Sequence, residues 1–185
     1  MLDGALDSIA ADGPAALSLR DVARRAGVSH AAPAHHFGDK ADVLTAIAAE
    51  GYALLSATMR DALAVSDGKL IDVGIAYIRF ALEHRAHFEV MFRPDIYRSE
   101  QAAVADARQE AAEILFGVVR YTLPSGASED QVWGGVLAAW SFTHGFATLS
   151  LNTNFTPERD EDVEAAVHQA ATSVVRLVAA GAFGH

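Results

Sequence analysis

Apolar positions recur along the chain at intervals of three and four, and no stretch alternates apolar with polar long enough to form a half-buried strand. The pattern therefore predicts helices throughout. An opening stripe of Leu2, Ala5, Leu6 and Ile9 runs to Asp12-Gly13-Pro14, which ends it. Ser18-Leu-Arg-Asp21 has capping-box spacing and opens a second helix, interrupted after about two turns by Gly27-Val28-Ser29. Ser29 is placed to cap a third short helix. Asp39 and Asp42 then favour the positive end of a long helix, whose stripe of Val43, Leu44, Ile47, Leu54, Leu55, Met59 and Leu63 continues toward Asp67-Gly68. Further helices are predicted over 69–83, 84–92 and 100–123, with breaks at Arg93-Pro94 and Pro124. Ser128-Glu-Asp-Gln131 repeats the capping-box spacing at the head of a helix reaching Leu151, and Thr156-Pro157 opens a last one that Gly181 closes. The expected fold is all-α: a three-helix module over residues 1–45, joined by the long helix to a helical bundle over residues 46–185.

Composition narrows the chemistry. The 185 residues are 51% hydrophobic with five prolines, enough for a sizeable core. No uncharged apolar run is long enough for a membrane span and no basic-then-apolar start suggests a secretion signal, so a cytoplasmic protein is the default expectation. The absence of cysteine excludes disulfides, thiolate zinc sites and cysteine nucleophiles. Of the net charge of -10, residues 1–40 carry -1 and residues 41–185 carry -9. A nucleic-acid partner would therefore meet the first forty residues, because phosphate repels the remainder.

Residues 19–37 read as short helix, tight turn, short helix, with Ala23 small enough for close crossing, Gly27 free to adopt positive φ and Val28 anchoring the turn. That spacing is a helix-turn-helix, although two short helices that merely join a bundle share it. The residues add a resemblance. The run "MLDGALDSIAADGPAALSLRDVARRAGVSHAAPAHHFGDKADVLTAI" resembles the amino-terminal DNA-binding region of the tetracycline-repressor (TetR) family of transcriptional regulators. The "SLRDVARRAGVS" block, His36-Phe37 and Lys40 carry the likeness, and "AAWSFTHGFATLSLN" resembles the Trp and His-Gly motif of one class of the family's carboxy-terminal domains at Trp140, His144 and Gly145.

The resemblance implies that the third helix enters a major groove of operator DNA, with His30, Ala31, Ala32 and His35 toward base edges and Ser18, His36 and Lys40 toward phosphates. Ala34 stands where relatives usually carry a phosphate-binding tyrosine. Pro33 falls at the end of the first turn after Ser29, where a missing N–H forfeits at most the first intrahelical bond. The resemblance also implies a small-molecule effector and a repressor-type switch.

Tyr77, Phe80, Phe88, Met91 and Phe92, beside Met59, form a soft aromatic set that either lines an effector cavity or is solid core. Trp140 and His144, four apart on one face, are either effector contacts or a satisfied core pair. Val132, Trp133, Val136, Leu137, Trp140, Phe142, Phe146 and Leu149 spread around more than one face, as do Val163, Val167, Ala170, Ala171, Val174, Val175 and Val178. Helices apolar on two sides need two covers, which predicts a homodimer through the last two helices.

Three rival readings carry less. His30, His35 and His36 diverge around a helix, and His84 with His87 lacks a third ligand, so no metal is expected. No cofactor is expected either. An enzyme using His144 with Ser141 or Thr143 lacks an adjacent acid and a nucleophile elbow. The remaining alternative keeps the fold without DNA: a ligand-binding or scaffolding helical dimer whose reading head has decayed, a reading that Ala34 and the acidic balance permit.

Overall fold

The structure, a computed structural model, describes residues 2–25, 37–65 and 69–152 and, singly, Ala165, His168, Gln169 and Thr172. These residues form helices, with no strand among the described residues, which makes the all-α reading correct. In chain order they are α1 (Leu2–Asp12), a single 3-10 turn (Pro14–Ala16), α2 (Leu19–Arg25), α3 (Lys40–Val65), α4 (Leu70–Glu83), α5 (Arg85–Met91), α6 (Ala102–Thr122) and α7 (Glu129–Asn152). Gly27, Ser29, Pro33 and the opening and closing signals of the last helix, Thr156, Pro157 and Gly181, lie outside the described residues. So do the seven valines and alanines named for that helix.

Gly13 and two reciprocal caps act where the sequence places them. Gly13 ends α1 at φ 76°, a conformation costly to any side chain, and its N–H donates to the Ile9 carbonyl at 2.8 Å. At the start of α3 the caps are reciprocal: Asp42 N–H donates to Asp39 Oδ1 at 3.0 Å and Asp39 N–H to Asp42 Oδ2 at 3.2 Å. The same exchange opens α7, from Gln131 N–H to Ser128 Oγ at 3.2 Å and from Ser128 N–H to Gln131 Oε1 at 2.8 Å. Several boundaries differ from expectation by one or two residues. α5 stops at Met91 because the Phe92 N–H turns back to the Val90 carbonyl, and α6 starts at Ala102 because residues 94–101 make a series of turns.

The described residues fall into two compact units, one within Met1–Leu54 and His84–Ala111, the other within Leu55–Glu83 and Ala112–His185. In the first, α1 packs on α2, on the 3-10 turn and on α5. Ala5, Ile9, Leu17, Val22, Val43, Leu44 and Ile47 are buried there together with Phe88, Val90 and Met91. Each large apolar side chain so buried stabilises the fold by about 1.5–3 kcal/mol. Gly51 lets α3 and α5 touch, since a Cβ built on it would lie 2.9 Å from Met91 Cγ and 3.1 Å from His87 Cβ.

In the second unit α4 packs on α7, and Gly74 brings the two close, a Cβ there lying 3.2 Å from Thr143 Cγ2. Val119, Val132 and Val136 form a buried cluster edged by Leu70, Leu115, Phe116 and Leu123. The forked Arg120–Glu129 pair, at 2.8 and 2.9 Å, ties α6 to the first residue of α7.

Candidate functional site

Of the residues expected at DNA, His30, Ala31, Ala32, His35 and His36 lie outside the described residues. Ser18 and Lys40 are described. Ser18 is half-buried just before α2, and its carbonyl accepts the Val22 N–H at 3.0 Å. Lys40 is the first residue of α3, and its ammonium donates to the Ala15 carbonyl at 2.7 Å, fastening the start of α3 to the turn that follows α1. Arg24 pairs loosely with Asp21 at 3.6 Å along α2.

Arg98, which no motif in the sequence marks, holds the start of α3. The Arg98 guanidinium donates to Asp39 Oδ1 at 3.0 Å, Asp39 Oδ2 at 2.7 Å and Asp42 Oδ1 at 2.6 Å, while its backbone N–H donates to Thr45 Oγ1 at 3.0 Å. Thr45 Oγ1 in turn donates to the Ala41 carbonyl at 2.6 Å. The hydrogen bonds from Arg98, then the one from the Asp42 N–H, push the Asp39 carboxyl down to about 2. No local pattern signals Arg98, because its partners lie more than fifty positions earlier.

The effector candidates divide between the two units. In the first, Phe88 and Met91 are buried, and Phe92 stacks obliquely on Phe88 with ring centroids 5.0 Å apart and meets Tyr52 edge-on at 6.1 Å. The Met91 carbonyl accepts two phenols, from Tyr52 at 3.0 Å and Tyr97 at 2.8 Å. Burial raises both tyrosines above their ordinary range, so both stay protonated donors.

In the second unit, Met59 and Phe80 are buried, and the buried Tyr77 hydroxyl shares a 2.9 Å hydrogen bond with His144 Nδ1. Trp140, 43% exposed, meets His144 edge-on at 6.3 Å. Burial lowers the His144 pKa, which keeps the imidazole neutral near pH 7. The sequence flagged Tyr77 and His144 separately; it is the approach of α4 to α7 at Gly74 that makes them a pair.

His84 and His87 meet edge-on at 5.8 Å, and the buried His87 Nε2 lies 3.6 Å from Glu50 Oε2 with no hydrogen-bond partner among the described residues. Desolvation lowers the His87 pKa, opposed by Glu50. Among the described residues no three His, Cys, Asp or Glu side chains are grouped to hold a metal ion.

The described residues are helical, and the comparisons name the family. Residues 1–47 match the pattern described as "Bacterial regulatory proteins, tetR family", and residues 70–182 match "Tetracyclin repressor-like, C-terminal domain". The chain belongs to the TetR family, whose members are transcriptional regulators and not enzymes. Among solved structures, it resembles a protein of unknown function from Rhodococcus sp. RHA1 at 29% identity and TM-score 0.76, over 95% of this chain and 91% of that one. It also resembles the TetR family transcriptional regulator PfmR from Thermus thermophilus, at 22% identity and TM-score 0.70 over 95% and 96% of the two chains. A bacterial regulatory protein in the tetR family from Rhodococcus RHA1 aligns at 21% identity and TM-score 0.72 over 96% and 94%. No curated protein matches the chain.

Proposed function

We propose that this chain binds operator DNA as a homodimer through its amino-terminal head and releases it when a small-molecule effector enters the helical body, acting as a cytoplasmic repressor. The observation that carries this reading is the match of residues 1–47 to the DNA-binding pattern of the family. No helix among the described residues is long and apolar enough to cross a membrane, which is compatible with that location. In this reading His30, Ala31, Ala32 and His35 meet base edges, and Ser18, His36 and Lys40 meet phosphates. Lys40 exchanges its exposed bond to the Ala15 carbonyl for a phosphate oxygen.

The effector is read by Tyr77, Trp140 and His144, a phenol, an indole and a neutral imidazole, together with the buried Met59 and Phe80. Phe88, Met91 and Phe92 are the remaining candidates, on α5 and at its end. An effector acts by binding one arrangement of the long helix better than another, and a coupling of about 1–3 kcal/mol is enough for such a switch. Trp133, Leu137 and Trp140, 53%, 41% and 43% exposed, follow one another at four and three residues along α7 and offer an apolar face to a second copy.

Selection of duplexes from a random-sequence library tests the reading. Enrichment of a two-fold symmetric site with half-sites about 34 Å apart supports it. Failure to enrich any sequence favours the alternative, a ligand-binding or scaffolding helical dimer without DNA, to which the charge of -9 carried by residues 41–185 lends support.

A further inference from the structure

We propose that Arg98 is a positioning residue for DNA binding: by forking onto Asp39 and Asp42 it neutralises the acidic start of α3 so that a phosphate backbone can approach it. The inference rests on the reading above, in which Lys40 and its neighbours face phosphates. Arg98 lies in the segment matched to the family's carboxy-terminal pattern, outside the 1–47 match to the DNA-binding pattern, yet it sits in the same compact unit as the head.

Asp39, Lys40 and Asp42 stand within one turn and sum to -1, which Arg98 brings to zero. A carboxylate at a helix start stabilises the helix through its cap and dipole, but it also repels a polyanion. The fork reconciles the two demands: Asp39 and Asp42 still cap α3, and the guanidinium covers their charge. The fork also braces the start of α3, being bidentate on Asp39 and bonded to Asp42, so its charge effect and its bracing have to be separated by experiment. An extra negative charge per head costs DNA affinity through the counterion term, which at low salt is large.

Fluorescence polarisation of the full-length chain on the duplex it selects tests the proposal. Arg98→Ala should weaken binding by at least about tenfold at ~0.1 M salt and lower the slope of log affinity against log salt by about one per head. Arg98→Lys, which keeps the charge, should retain most of the affinity. Arg98→Ala combined with Asp42→Asn restores the original local charge without restoring the fork, and should return within about threefold of wild type. If the double variant binds as poorly as Arg98→Ala, the contribution is bracing rather than charge, and the proposal is overturned. Wild-type affinity in Arg98→Ala overturns it and leaves the DNA reading standing, whereas a wild-type chain that selects no duplex removes both.

Discussion

Gly51 of α3 lies so close to Met91 of α5 that a Cβ at Gly51 would stand 2.5 Å from the Met91 Sδ. The contact joins the long helix to the segment whose carbonyl at Met91 collects the Tyr52 and Tyr97 hydroxyls, and whose continuation supplies Arg98. Glycine in mid-helix costs about 0.5–1 kcal/mol relative to alanine, so its presence here reflects packing.

Gly51→Ala gains that helix propensity but must push aside a fully buried Met91, and overpacking costs about 1–3 kcal/mol. A lower melting temperature is expected by calorimetry. Gly117→Ala, in the interior of α6 with nothing within 4 Å of the new Cβ, should instead raise it, by about 0.5–1 kcal/mol of stability. The same sign for both variants would refute the close approach.

The burial of His87 and His144 sets a pH dependence. Both have pKa values below the ordinary histidine value, so the unfolded chain binds protons more readily than the folded one. Their contribution to stability is present above about pH 6.5 and is lost as the pH falls through the folded values. Melting temperature should drop between pH 7.5 and 5.5, and His144→Gln should shrink the drop. A melting temperature that rises on acidification over that window has the wrong sign for buried neutral histidines.

The apolar face of α7 yields an oligomer prediction. Leu137→Glu places a charge in the middle of an otherwise apolar run between Trp133 and Trp140, without touching the buried Val132 and Val136. Sedimentation velocity should show a dimer for the wild type and monomers for the variant, with an unchanged helical circular dichroism spectrum. A variant that remains dimeric moves the interface elsewhere.

What was legible in the sequence was what depends on neighbours in the chain. Gly13, Asp39 with Asp42, and Ser128 with Gln131 each mark a boundary through bonds made within a turn or two, and each boundary falls where the spacing predicts. Arg98 shows the opposite case. Its role is set by residues 39, 42 and 45, which no periodicity links to it. The effector candidates show a third: Phe80 and Trp140 look alike as apolar positions, yet one is fully buried and the other 43% exposed, a difference decided by which face of each helix meets its neighbour. Val132 and Val136, named in the sequence among residues spread over two apolar faces, are buried within their own unit.

Salt-dependent titration of the selected duplex, with the wild type beside Lys40→Ala and His35→Ala, tests the DNA-binding claim most directly. A steep linear fall of log affinity with log salt is expected, with a slope smaller by about one per head in Lys40→Ala and an altered base preference in His35→Ala. Weak binding that is indifferent to both sequence and salt would contradict it.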